Sequence, residues 1–199
     1  IILVGIESNN NRVVGAVWNT TTLMNSTLIS STASATGGLE AVDVAFAGDN
    51  SKAMIIGPNG TAGSLNASYY NGQYWTPAYV GDMSTTAGGN ADDVRWVRLK
   101  ADPASDDMQA VAITSNGRLS TAYWSGSAWT MTTTIDATVD GSGATRSADF
   151  AWNQTGSVGQ LIWDTDTTGA TISNRTCAPQ CSSSTTTAGS YAGTGAWLS

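Results

Sequence analysis

The chain has 199 residues, 41% hydrophobic and 12% charged, with fifteen acids against eight bases and a net charge of −7. That length makes one domain, or two small ones, with a core of real size. The acidic balance argues against nucleic acid and anionic membranes, which are bound through Lys and Arg, and no run of 18 apolar residues exists to span a bilayer.

Taken in chain order, the first segment Ile1-Ile2-Leu3-Val4 is too short for a signal peptide and lacks a basic flank. A start at Ile suggests a processed or truncated chain. Residues 2–8, 12–18 and 23–29 read as strands. Residues 43–47, 52–57, 64–70 and 74–80 form a second group, with turns at Asn59-Gly60 and Asn71-Gly72. Residues 94–99, 108–114, 118–124 and 128–135 form a third, with a loop over 102–107 and turns at Asn116-Gly117 and Ser125-Gly126-Ser127. Residues 148–152, 158–164, 170–176 and 182–187 form a fourth. Short apolar runs between such turn signals are the spacing of an all-β protein. No stretch of ten residues keeps a helical period with caps.

These groups are related by repetition. A shift of 106 residues places Arg12, Ala16, Trp18, Asp43, Ala45 and Ile56 on Arg118, Ala122, Trp124, Asp149, Ala151 and Ile162. Each 106-residue unit divides again into two groups of strands. On this alignment residues 2–8 match the strand that begins at Met108, so the first group lacks an opening strand. Ala196-Trp197-Leu198-Ser199 resembles Arg95-Trp96-Val97-Arg98, an opening strand, and is expected to complete that sheet. The pattern predicts an all-β, four-bladed β-propeller of four-stranded antiparallel blades, closed by pairing of the N- and C-terminal segments. It is read as a single domain over 1–199, with blades at about 195–199 plus 1–42, 43–92, 93–146 and 147–194. A β-sandwich or prism with the same strands, and a fragment of a longer propeller, are the competing folds.

The recurring motif is aromatic-x-Gly-x-x-Trp, as Tyr70-Asn71-Gly72-Gln73-Tyr74-Trp75 and Trp124-Ser125-Gly126-Ser127-Ala128-Trp129. Gly takes the turn and the flanking aromatics face each other across the hairpin. The bland reading is a structural clamp. The functional reading makes Tyr70, Trp75, Trp124 and Trp129 candidate platforms for stacking a glycan. In the hairpin around Cys177-Ala178-Pro179-Gln180-Cys181 the cysteines fall on Asn71 and Trp75. A local disulfide there is the preferred reading over two free thiols, and it points to an extracytoplasmic compartment. Asn-x-Ser/Thr sequons occur at Asn19, Asn25, Asn59, Asn66, Asn153 and Asn174, in a chain so rich in Ser and Thr that composition supplies part of that number.

Chemistry-bearing residues are scarce. With no His, the usual Ser-His-Asp and Cys-His arrangements are impossible. Asp43 and Asp149 repeat at matching strand starts, with Asp93 nearby in a third blade, and read as blade-to-blade hydrogen bonds or caps. Asp164-Thr165-Asp166 opens like a calcium loop, but the twelfth position is Arg175 where a Glu is needed. A polar turn is the safer reading, with Ca²⁺ on Asp140, Asp164 or Asp166 the alternative. No metal or cofactor is expected.

The run from Arg95 to Pro103, followed by Trp124-Ser125-Gly126-Ser127-Ala128-Trp129-Thr130, resembles a class of secreted bacterial repeat proteins whose other blades open Asp-Val-Ala-Phe, as at Asp43 to Phe46. The resemblance covers nearly the whole chain and implies an extracellular, propeller-like scaffold with no assigned chemistry. The chain departs from it at Asn19 to Leu23 and at Cys177 to Cys181.

The first expectation is therefore a non-enzymatic extracellular structural protein that assembles with copies of itself into a filament, tube or surface layer. A surface poor in Lys and Glu favours it. Exchange of the Trp197 strand between neighbours is its sharpest form. The second is a carbohydrate-binding propeller using the hairpin aromatics, with glycans as partners. An enzyme with a carboxylate pair is third.

Overall fold

A computed structural model describes residues 1–7, 9–31, 40–48, 51–61, 63–83, 93–139, 146–165, 171–181 and 187–190. Four antiparallel sheets follow one another along the chain, each a meander in which neighbours in sequence are neighbours in the sheet. The first holds β1 (Ile2–Glu7), β2 (Arg12–Asn19) and β3 (Thr22–Ser30). The second holds β4 (Asp43–Phe46), β5 (Ala53–Pro58), β6 (Ser64–Tyr70) and β7 (Trp75–Asp82). The third holds β8 (Val94–Ala101), β9 (Met108–Thr114), β10 (Leu119–Trp124) and β11 (Trp129–Asp136). The fourth holds β12 (Ala148–Trp152), β13 (Gly159–Asp164), β14 (Thr171–Cys177) and β15 (Thr187–Ser190).

Successive sheets stack face to face, and each junction has its own apolar core. Ile2, Val13 and Ile29 of the first sheet meet Ala53 and Ile55 of the second. Met54, Ile56 and Leu65 of the second meet Val97, Leu99 and Met108 of the third. Val111, Ile113 and Leu119 of the third meet Phe150, Leu161 and Trp163 of the fourth. Strand alternation makes this work, because Ile55 points to one neighbour while Met54 and Ile56 point to the other. A middle strand is thus buried on both faces, and its sequence reads as a continuous apolar run. β5, β9 and β10 are buried at every residue. Each fully buried Ile or Leu contributes about 1.5–3 kcal/mol relative to exposure.

Polar pins hold the stack in register. Asp43 accepts from the Val44 N–H through one oxygen and from the Leu99 N–H of the third sheet through the other, at 2.8 and 2.9 Å. The Leu99 bond is the blade-to-blade contact that the repeated Asp suggested, and Asp149 repeats the local one, accepting from the Phe150 N–H. The loop after β8 ties three sheets together. Buried Asp102 accepts from Ala104 N–H and from Ser157 N–H of the fourth sheet, at 2.8 and 2.9 Å. The Ser105 carbonyl accepts from Gly48 N–H of the second sheet at 3.1 Å, and Asp106 pairs with Lys52. Gly156 has φ +76° and lies so close that a Cβ would stand 2.1 Å from Asp102 Oδ1. Only Gly fits there.

Two registers differ from the sequence alignment by one residue. Ile6 pairs with Val13 whereas Ile113 pairs with Leu119, so the turn after β1 carries one extra residue. Ile2 therefore stands in the place of Gln109, not Met108. A one-residue slip exchanges the two faces of a strand, and the slip turns Ile2, Val4 and Ile6 toward the second sheet. Strand β15 lies at Thr187–Ser190, later than the 182–187 read from sequence. The expected closing strand at 195–199 lies outside the described residues, among which β1 is an edge strand.

Candidate functional site

The hairpins at the outer ends of the sheets carry the aromatic motif. Tyr70 lies directly opposite Trp75, and Trp124 opposite Trp129, with ring centroids 5.0 and 5.5 Å apart. Gly72 and Gly126 take φ +97° and +82° as the first central residue of a two-residue turn, the position at which a type II′ hairpin needs Gly. Asn71 Oδ1 receives the N–H groups of Gln73 and Tyr74 and stiffens the first turn.

The two clamps look alike in sequence but sit in different surroundings. The Tyr70/Trp75 pair turns toward the first sheet. There the Trp75 indole N–H donates to the Asn25 carbonyl, the Asn25 amide donates to the Gln73 carbonyl at 2.8 Å, and Tyr70 OH donates to the Gly72 carbonyl. This junction is sealed by its own hydrogen bonds.

The Trp124/Trp129 pair turns toward the second sheet and is left open. Tyr69 packs on Trp124 at 5.8 Å between centroids. With Thr76 and Tyr79 of β7 and Ser127 of the hairpin turn, these rings line a cleft of about 330 Å³. Among the described residues no charged side chain lines it. The indole N–H groups of Trp124 and Trp129 are both buried and have no hydrogen-bond acceptor among the described residues. Tyr79 is 64% exposed at the rim. The arrangement offers apolar ring faces with hydroxyl side chains around them. Small-molecule sites are built this way, as concave, mostly apolar surfaces with a few polar groups.

Of the four aromatic candidates, the structure brings Trp124 and Trp129 together in this cleft and places Tyr70 and Trp75 at a different junction. Tyr69 and Tyr79 escaped the motif. The Tyr69-Tyr70 doublet held the signal, since adjacent residues on a strand point to opposite neighbours.

The third hairpin is stapled. Cys177 and Cys181 are disulfide-bonded, buried, and packed in the core between the third and fourth sheets. Gly159 pairs with Cys177 as Ala53 pairs with Tyr70, so Cys177 replaces Tyr70 rather than Asn71. Cys177 thus stands where Tyr70 of the clamp stands, and Cys181, four residues on, closes the disulfide to it. Nearby, the Trp163 indole N–H donates to Asp136 at 2.7 Å and the Arg175 guanidinium lies 5.8 Å from the Trp163 ring centre. Burial lowers the Arg175 pKa, against the attraction of Asp136.

The sequons divide by environment. Asn19, Asn25 and Asn153 are exposed, whereas Asn59, Asn66 and Asn174 are partly buried. The Asn66 amide donates to the Ile29 carbonyl across the first junction. Asp164 closes β13, while Asp140 and Asp166 lie outside the described residues. Among the described residues no three metal-ligating side chains gather, and no helix is long and apolar enough to cross a membrane.

Four stacked meanders with one apolar core per junction define a β-propeller-like protein. The chain is similar to a fucose-specific lectin from Aleuria aurantia, at 15% identity and a TM-score of 0.55, over 98% of this chain and 60% of that one. It is also similar to a second structure of a fungal lectin from that source, described as a six-bladed β-propeller with a novel fucose recognition mode, at 16% identity and a TM-score of 0.49, over 94% and 58%. The chain thus spans about 60% of the length of the first of these. No family model matches the chain, and no curated protein does.

Proposed function

We propose that the chain is a non-enzymatic, extracellular carbohydrate-binding propeller, and that the cleft between β7 and the β10–β11 hairpin holds a neutral sugar ring. One observation carries this reading: the open cleft lined by four aromatic side chains and, among the described residues, by no charged one. A sugar presents an apolar C–H face to such rings and hydroxyl groups to the polar side chains of Thr76, Tyr79 and Ser127 beside them. The lack of lining charge favours neutral over acidic sugars. The likeness in fold to a fucose-specific lectin supports the class of ligand and makes fucose the first to try. The disulfide supports an oxidising, extracellular location.

Glycan-array binding with Trp129→Ala and Tyr79→Ala tests it. Tyr79 is on the rim, so its variant keeps the fold. Both variants are expected to weaken binding by about tenfold or more, while Trp75→Ala, at the sealed junction, leaves it within about twofold. Binding lost only in Trp75→Ala, or no neutral glycan bound at all, contradicts the assignment. The expected assembly into filaments or layers rests on a different surface, the far face of the first sheet.

A further inference from the structure

Every inner junction of this protein covers one face of a sheet with the facing side of its neighbour. Among the described residues, nothing covers the second face of the first sheet. Leu3, Val14, Leu23 and Leu28 share it and are 50, 36, 57 and 52% exposed. Register pairs Val14 with Leu28 and Trp18 with Leu23, so the side chains form one patch running across three strands. Contiguous apolar patches of this kind mark interaction sites.

The repeat says what kind of surface fits. By pairing register, Leu3, Ala16, Trp18 and Leu23 hold the places of Ala110, Ala122, Trp124 and Trp129. In the third sheet, Ala110, Ala122 and Trp124 are buried against the second sheet, by Ala45, Met54 and Ile56 among others. The far face of the fourth sheet repeats that covering surface. Asp149, Ala151 and Ile162 hold the places of Asp43, Ala45 and Ile56, and Ala151 is exposed. Gln160 takes the place of Met54, which makes this face more polar than its counterpart. The chain therefore carries both halves of its own internal junction, one on the first sheet and one on the fourth, and among the described residues they do not cover one another.

We propose that the far face of the fourth sheet of one molecule docks on the open face of the first sheet of a second copy. The contact is head-to-tail, joining two different surfaces, so each added copy presents a fresh face to the next. The occupant is a copy of this chain because the complementary surface is present in it.

Sedimentation velocity of the whole chain over a wide concentration range tests this, with Leu28→Asp on the first sheet and Ile162→Asp on the fourth. The mass of the unmodified chain is expected to rise with concentration beyond a dimer. Each variant alone keeps one competent face, and its self-association weakens by more than about tenfold. An equimolar mixture of the two is expected to give a one-to-one dimer and to stop there. Leu3→Asp repeats the test from another strand, and far-UV circular dichroism confirms that each variant is folded. A chain that stays monomeric at every concentration, as when its own fourth sheet closes on the first, overturns the proposal. So does a mixture of the two variants that stays monomeric.

Discussion

Tyr123 shows how one side chain is tied to the stacking of sheets. Its ring is buried and its hydroxyl donates to Asp107 Oδ2, in the loop that joins the second, third and fourth sheets. Burial raises its pKa well above that of an ordinary phenol, with the Asp107 hydrogen bond as the second cause. The sign of the linkage follows. Below about pH 10 the phenol is neutral in both folded and unfolded chains, and its contribution is fully present. Above that, the unfolded chain releases a proton that the folded chain retains, so stability falls as pH rises toward the raised value. In a spectrophotometric titration Tyr123 is expected to ionise later than an ordinary phenol. Tyr123→Phe should remove that late component and flatten the alkaline loss of stability. A late component that persists in the variant would contradict this. Residues of this kind are hard to read from sequence. Asp43 was legible because it recurs at Asp149, but Asp102 and Asp107 have no repeat partner to mark them.

Strands and turns were the most legible part of the chain. Middle strands such as β9 and β10 had to be apolar throughout, and the turns between them had to contain Gly or Asn. Apart from β15, which begins five residues later than read, their limits agree with the sequence reading to within a residue or two. What sequence could not show is the relative slip of neighbouring strands. One extra residue after β1, and one extra between β13 and β14, changed which face Ile2 presents and which clamp position Cys177 fills. The disulfide staples this hairpin between Cys177 and Cys181, and its energetics follow from the short loop it closes. For so short a loop the chain-entropy contribution is about 2 kcal/mol. Cys177→Ala with Cys181→Ala is expected to lower stability by about that amount, measured by urea denaturation, and to leave glycan binding unchanged. A loss above about 5 kcal/mol would mean that the staple organises the whole junction between the third and fourth sheets.

Across the whole molecule, repetition explains both what is alike and what is not. Three junctions share one architecture, yet their hairpins end differently: sealed by Asn25, stapled by a disulfide, or open between Tyr69, Tyr79 and Trp129. The repeat made the propeller-like stack legible. It concealed the cleft, because two copies of one motif, Tyr70/Trp75 and Trp124/Trp129, meet different neighbours. The cleft exists only where β6 offers Tyr69 and β7 offers Tyr79. The most direct measurement is an indole ¹⁵N–¹H spectrum of the eight tryptophans during titration with neutral saccharides, fucose first. The Trp124 and Trp129 signals are expected to move together and saturate. Those of Trp75 and Trp163, already bonded to Asn25 and Asp136, are expected to stay in place. Spectra in which Trp124 and Trp129 remain fixed at saturating sugar, or in which only Trp75 responds, would contradict the account.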